Sequence, residues 1–182
     1  MEYRICTVLR GIYFVFYTSS GLFSPKRIDP GTRLLIEYME LRPEDKLLDL
    51  GCGYGPIGIV ASKFVREVHL VDIDRTALRY ARINARMNAC SNVLIYRSDL
   101  FSAVKDKFSN IVTNPPISAG KQLMQRLIKE SWEHLVPGGL FQLVLRRGQK
   151  SYLELLKQTF GSVEVVKKKA GYWIIKAEKQ QS

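Results

Sequence analysis

Residues 47–58, LLDLGCGYGPIG, constrain the fold more than any other part of the chain. An apolar strand runs into a turn with glycines at 51, 53 and 55, and then into a helix that Pro56 can open, since proline suits the first helical position. Missing side chains in such a turn let a ligand approach the backbone at the carboxyl end of the strand. The spacing Gly53-x-Gly55-x-x-Gly58 also satisfies the dinucleotide fingerprint, with Asp72 at about the distance expected of a residue that holds a ribose hydroxyl. Two features argue against a pyrophosphate in this turn. Asp49 places a carboxylate beside it, which favours a positive amino group, and a proline at the helix start suits a turn that need not bind phosphate.

Around and after the glycine turn, strand-like and helix-like segments alternate. The strands are LLDL, VHLVDI, NVLIYR, NIVT and LFQLVLR, and the helices are residues 57–64, 76–89 and 121–135. This alternation predicts an α/β fold, a parallel sheet with helices on both faces. Upstream, GIYFVFYT reads as one strand, residues 19–30 as a lid or entrance loop with Gly21, Pro25 and Pro30, and 32–41 as a helix that Pro43 ends. Downstream, 151–160 reads as a helix, and VEVVKKK and GYWIIKA form an antiparallel hairpin about Ala170–Gly171. A length of 182 residues fits one domain. It divides into residues 1–30, the N-terminal strand and lid, and residues 31–182, the core.

The formal charge of +11 raises the local concentration of a polyanion, so nucleic acid is the natural partner. The helix over 75–89 aligns Arg75, Arg79, Arg82 and Arg86 on one face. Such a stripe is more often a solvated surface than a phosphate contact. Three cysteines without a CxxC pair and two histidines give no metal-ligand spacing, so no metal is expected. The apolar run at 12–17 is too short to span a bilayer, and Glu2, Arg4 and Arg10 break any signal-peptide pattern. No membrane partner and a cytoplasmic location are expected.

The strand NIVT leads into Asn114-Pro115-Pro116-Ile117. Two prolines fix the backbone and hold Asn114 extended, so that its side-chain carbonyl and the Pro115 carbonyl can point into a cleft. Two acceptors aimed at the hydrogens of an exocyclic amine favour a pyramidal nitrogen, whose lone pair is then free to attack. An activated methyl donor needs little beyond such alignment, which contributes on the order of 7 to 11 kcal/mol.

The glycine turn resembles motif I of the class I methyltransferases that use S-adenosyl-L-methionine, and VDID is similar to their motif II. That resemblance implies a Rossmann-like, mostly parallel seven-stranded sheet closed by the hairpin. It implies cofactor contacts from Asp49, Gly51, Cys52, Gly53 and Tyr54, from Asp72 and Ile73, from Asp99 and Leu100, and from Asn114. Asp49 and the Gly51 and Gly53 backbone would face the methionine end, Asp72 the ribose and Asp99 the adenine amino group. N-P-P with D-x-G-x-G is shared by amino-methyltransferases, and GLFSPKRIDPGTRLLIE with NPPISAGK narrows the likeness. Together they resemble the small-domain family that methylates the 2-amino group of guanine in ribosomal RNA, and in particular its single-domain archaeal members. The catalytic residues implied are Asn114, Pro115, Pro116 and Ile117.

Two departures stand out. The bacterial ribosomal enzymes carry a second, degenerate domain for which this chain has no room, and homo-oligomerisation is one open way to replace it. Ile117 occupies a position where relatives carry Phe or Tyr for stacking a flipped base. Phe23, beside Ser24 in the lid, is the candidate replacement, and Arg79 and Arg82 are candidate RNA contacts. Ribosomal RNA or a ribosomal subunit is the expected substrate, followed by a transfer-RNA base and then a protein glutamine. A non-catalytic RNA-binding module and an NAD-dependent oxidoreductase remain as other classes.

Overall fold

The computed structural model describes residues 1–116 and 118–181. Its main sheet has seven strands in the order β5-β4-β3-β6-β7-β9-β8. The strands are β3 (Lys46–Leu50), β4 (Glu67–Asp72), β5 (Val93–Arg97), β6 (Phe108–Thr113), β7 (Leu135–Arg146), β8 (Gly161–Lys169) and β9 (Tyr172–Lys179). The first five pair in parallel, and β9 runs antiparallel to both β7 and β8. This is the Rossmann-like sheet with a C-terminal hairpin that the alternation and the resemblance predict. β3 buries Leu47, Leu48, Asp49 and Leu50 because both of its faces are covered, and Asp49 is its one polar interruption after Lys46.

Helices α1 (Pro30–Tyr38), α2 (Pro56–Ala61) and α3 (Arg75–Met87) pack on one face, and α4 (Lys121–Glu133) and α5 (Ser151–Phe160) on the other. Two apolar clusters result. One gathers Leu35, Leu47, Ile59, Leu70 and Ala81; the other gathers Leu48, Phe141, Leu127, Ile128 and Phe160. Fully burying side chains of this kind stabilises the fold by about 1.5–3 kcal/mol each.

The N-terminus departs from the single expected strand. β1 (Glu2–Leu9) and β2 (Ile12–Ser19) form a separate antiparallel hairpin joined by Arg10–Gly11, both with positive φ (49° and 78°). A two-residue turn of that kind matches the twist of the strands. Phe14 and Phe16 of β2 are buried against the first cluster. The outer edge of β2 is met by side chains: Asn84 in α3 and Asn88, four residues on at the cap of that helix, each accept from and donate to a β2 residue. The Tyr17 N–H reaches Asn84 Oδ1 at 2.6 Å and Asn84 Nδ2 returns to the Tyr17 carbonyl at 2.9 Å; Asn88 does the same for Val15 at 3.1 and 2.8 Å.

Other boundaries move as well, α3 and α4 each ending two residues short of the expected bound, at Met87 and Glu133. α1 begins at Pro30 because the Asp29 side chain accepts from the Thr32 N–H, and it ends at Tyr38, where Met39 turns extended, short of Leu41. α2 stops at Ala61, since after the Ser62 cap the Lys63 and Phe64 N–H groups donate to the carbonyls three residues back, Val60 and Ala61. β7 starts at Leu135 and absorbs the Gly138–Gly139 stretch, with the ladder to β6 shifted between Phe108 and Asn110. Among the described residues no helix is long and apolar enough to cross a membrane.

Candidate active site

β3 pairs with β4 on one side and with β6 on the other, so the connections leave in opposite directions and a crevice opens at the carboxyl ends of the strands. A cleft of about 640 Å³ occupies that position. Its walls come from the loop before α1, the glycine turn after β3, and the ends of β4, β5 and β6.

In the glycine turn, Gly51 and Gly53 have φ of 71° and 58°, which side chains rarely adopt, and a Cβ on either would project into open space. Their bare backbone therefore leaves a cradle. The turn is pinned from β4: the Cys52 N–H donates to the Val71 carbonyl at 2.8 Å, and the Gly53 N–H to Asp72 Oδ2 at 2.8 Å. Asp72 Oδ1 accepts from the Asp74 N–H at 2.9 Å. Gly58, in the first turn of α2, has no room for a side chain: a Cβ would lie 2.6 Å from Leu70 Cγ and 3.0 Å from Asp49 Oδ2.

Asp49 lies beneath this turn, fully buried. Its Oδ2 accepts from the Gly58 N–H at 2.8 Å, and its Oδ1 has no partner among the described residues. Burial pushes the carboxyl up to about 7, helped by the nearby Asp72 charge and opposed by the Gly58 bond. A buried acceptor left open in this way suits a cationic partner, which would draw the group back to its ionised form.

Asn114 shows a similar economy. Its Nδ2 donates to Asp29 Oδ2 at 3.0 Å and to Thr32 Oγ1 at 2.9 Å. These two acceptors fix which way the carboxamide faces, and its Oδ1 is buried without a partner among the described residues. Asp29 thus caps α1 and orients Asn114 with the same oxygen. Neither Asp29 nor Thr32 is among the site residues expected from the sequence. Asp29-Pro30 is nevertheless a helix-start signal, with a capping residue followed by proline.

Of the expected residues, the cleft gathers Phe23, Ser24, Gly51, Cys52, Gly53, Tyr54, Asp72, Ile73, Asp99, Leu100, Asn114, Pro115 and Pro116. Phe23 is 56% exposed. Ser24 is tied to the glycine turn, because the Tyr54 hydroxyl donates to its carbonyl at 3.2 Å, and burial pushes the Tyr54 phenol well up so that it keeps its proton. Burial likewise pushes the Cys52 thiol up, leaving it an uncharged wall residue. Ile117 lies outside the described residues. Arg79 and Arg82 are exposed on α3 and do not reach the cleft; Arg82 Nη2 donates to the Ile95 carbonyl at 3.1 Å. A metal-like grouping that sequence spacing does not reveal, Glu67 with His69 and Asp106, brings its ligand atoms within 4.8 Å of one another. Lys46 Nζ already sits there, 2.5 Å from Asp106 and 3.5 Å from Glu67.

The chain belongs to the methyltransferase small-domain family, whose model matches residues 13–176. It is 45% identical over 178 residues to the Bacillus subtilis (strain 168) protein YbxB, covering 94% of this chain and 89% of that one. It is 35% identical over 157 residues to ribosomal RNA small subunit methyltransferase C of Haemophilus influenzae (strain PittGG), covering 82% of this chain and 47% of the relative. A solved Thermus thermophilus structure, the 16S rRNA N2 G1207 methyltransferase RsmC in complex with AdoMet and guanosine, is similar with a TM-score of 0.90. Its identity is 28%, covering 99% of this chain and 51% of that one. The chain thus spans about half the length of the ribosomal RNA relatives it matches. A Pyrococcus furiosus methyltransferase shares the fold, with a TM-score of 0.77 at 24% identity, covering 92% of this chain and 90% of that one.

Proposed function

We propose that this chain is an S-adenosyl-L-methionine-dependent N-methyltransferase acting on the exocyclic 2-amino group of a guanine in ribosomal RNA. The observation that carries the reading is Asn114. Its amide nitrogen is spent on Asp29 and Thr32, and its carbonyl oxygen is unspent at the wall of the cleft.

The residues present fit the methyl donor. The open Asp49 Oδ1 suits the charge of its methionine end, and the Gly51 and Gly53 cradle leaves room for its bulk. Asp72 is assigned to the ribose hydroxyls and Asp99 to the adenine amino group. When bound, S-adenosylmethionine supplies a methyl group already activated on a sulfonium. The work left to the protein is alignment. Asn114 Oδ1 and the Pro115 carbonyl each hold one hydrogen of the guanine amine, which turns the nitrogen lone pair out of conjugation with the ring and toward the methyl. Phe23, at the cleft mouth, is assigned to the exposed face of the base. The similar Thermus thermophilus enzyme bound AdoMet and guanosine together, which supports the pairing of donor and base.

The test is transfer of labelled methyl from S-adenosylmethionine to total RNA, ribosomal subunits and total protein, followed by nucleoside analysis. Label in 2-methylguanosine is the expected result. Label confined to protein would overturn the RNA reading, and absence of label from every fraction would overturn the enzymatic one.

A further inference from the structure

The carboxyl end of β7 carries the sheet past the cleft into a second surface. β6 and β7 pair Thr113 with Leu143, so Arg146 stands three residues, about 10 Å, beyond the partner of the residue preceding Asn114. Arg146 pairs in turn with Tyr172, the first residue of β9, which puts the Ala170–Gly171 turn at the same end of the molecule as the cleft. Six cations stand about this tip: Arg146, Arg147, Lys150, Lys167, Lys168 and Lys169.

Among the described residues none of the six has a carboxylate within 4.0 Å, whereas Arg42, Lys46, Arg126 and Lys176 each do. Aromatic rings lie beneath four of them instead. Lys168 Nζ is 4.0 Å and Lys150 Nζ 5.2 Å from the centre of the Trp173 ring. Lys167 Nζ is 5.2 Å from that of Tyr38, and the Arg146 guanidinium 5.7 Å from that of Tyr172. Arg146 Nη1 is buried with no partner among the described residues. A hollow of about 580 Å³ between the tip and α1 is lined in part by Tyr38, Lys169 and Tyr172.

An exposed cation–π contact contributes about 0.5–1 kcal/mol, enough to bias where a lysine rests without neutralising it. Cations left unneutralised among aromatic faces and beside a hollow suit a single nucleic-acid strand: phosphates meet the ammonium groups and a base can stack. The arginine stripe on α3 offers charge as well, but it flanks β4 and β5, the side of Asp72 and Asp99, and not the side of Asn114.

We propose that the tip of the β8–β9 hairpin, with Arg146, Lys150 and the hollow against α1, docks the single-stranded RNA that flanks the target nucleotide. The proposal rests on the reading of the cleft as an RNA methyltransferase site. It gives one compact domain a means of holding its substrate through its own sheet edge.

The test is fluorescence anisotropy of a labelled single-stranded RNA oligonucleotide over a range of salt. It compares the unaltered protein with the triple variant Lys150→Ala, Lys168→Ala, Lys169→Ala and with Arg79→Ala, Arg82→Ala. Loss of three phosphate contacts lowers the salt slope by about 2 and the affinity at 0.1 M salt about a hundredfold. The triple variant is expected to show both changes, with S-adenosylmethionine affinity by calorimetry unchanged; lysine-to-arginine changes at the same positions should show neither. If the triple variant binds RNA with an unchanged slope, or if the arginine pair takes the loss, the docking surface is overturned while the RNA reading stands. If the unaltered protein binds no RNA and methylates only protein, both fall.

Discussion

Replacing Asp49 with asparagine is expected to stabilise the ligand-free protein at alkaline pH and to abolish binding of the methyl donor. Burial holds this carboxyl at about 7, against 3.8 for the exposed group. Below pH 4 the group carries its proton in both the folded and the unfolded chain. Between about 4 and 7 the unfolded chain has released the proton that the folded chain retains, so stability falls across that window. Above 7 the full cost is present, about 4 kcal/mol at 1.36 kcal/mol per tenfold in proton affinity. Asparagine escapes this cost at every pH. Its carbonyl can still accept from the Gly58 N–H, but its amide then takes the unpartnered position, at about 1–3 kcal/mol independent of pH. The amide term is the same at both pH values and cancels, so the variant gains on the unaltered protein by about 2 to 3 kcal/mol as the pH rises from 5 to 8. Urea unfolding followed by circular dichroism at both pH values measures that difference directly. A difference that does not change with pH would refute the assignment of a buried, neutral Asp49. Calorimetry with S-adenosylmethionine tests the other half, and retained affinity in the variant would show that Asp49 does not face the cationic end of the ligand.

Two further substitutions bear on other parts of the site. Asn114→Ala should leave donor affinity nearly intact and lower turnover on the order of 100-fold or more, because alignment of the amine is lost; a parallel loss of donor affinity would assign Asn114 a structural role instead. Asn84→Ala leaves the Tyr17 N–H and carbonyl and the Tyr54 carbonyl without their partner, at about 1–3 kcal/mol for a buried group so exposed. Thermal unfolding should register the loss, and an unchanged midpoint would mean that β2 is held by its apolar face alone.

The parallel part of the sheet was legible in the sequence because β3, β4 and β6 are short, largely apolar runs set off by turn residues, and the glycine turn marks the strand beside the cleft. The hairpin at the N-terminus was less so. β1 buries only Ile5 and Leu9, leaves Val8 exposed beside Glu2, Arg4 and Cys6, and its turn uses Arg10 at positive φ, where arginine is an unusual choice. Within the candidate site, the glycines, Asp72 and Asn114 could be named from motif spacing and strand ends, and Asp99 from the family resemblance. Asp29, Thr32 and Asn84 could not, because their roles arise from contacts with residues 85, 82 and 67 positions away. Asn84 in particular sits mid-helix, where sequence reading assigns a polar residue to solvent; here it is fully buried and ties the hairpin to the glycine turn through the Tyr54 carbonyl at 2.9 Å.

The shared oxygen of Asp29 has a consequence for anyone who would alter the substrate range of this enzyme class. The loop over residues 19–30 is the obvious place to graft a new specificity, since it carries Phe23 and borders the cleft. Its last anchor, however, also sets the direction of the Asn114 carboxamide. On the role proposed for Asn114, loop exchange that discards Asp29-Pro30-x-Thr32 would therefore alter chemistry along with recognition, whereas exchange that stops before Ile28 leaves the two separable.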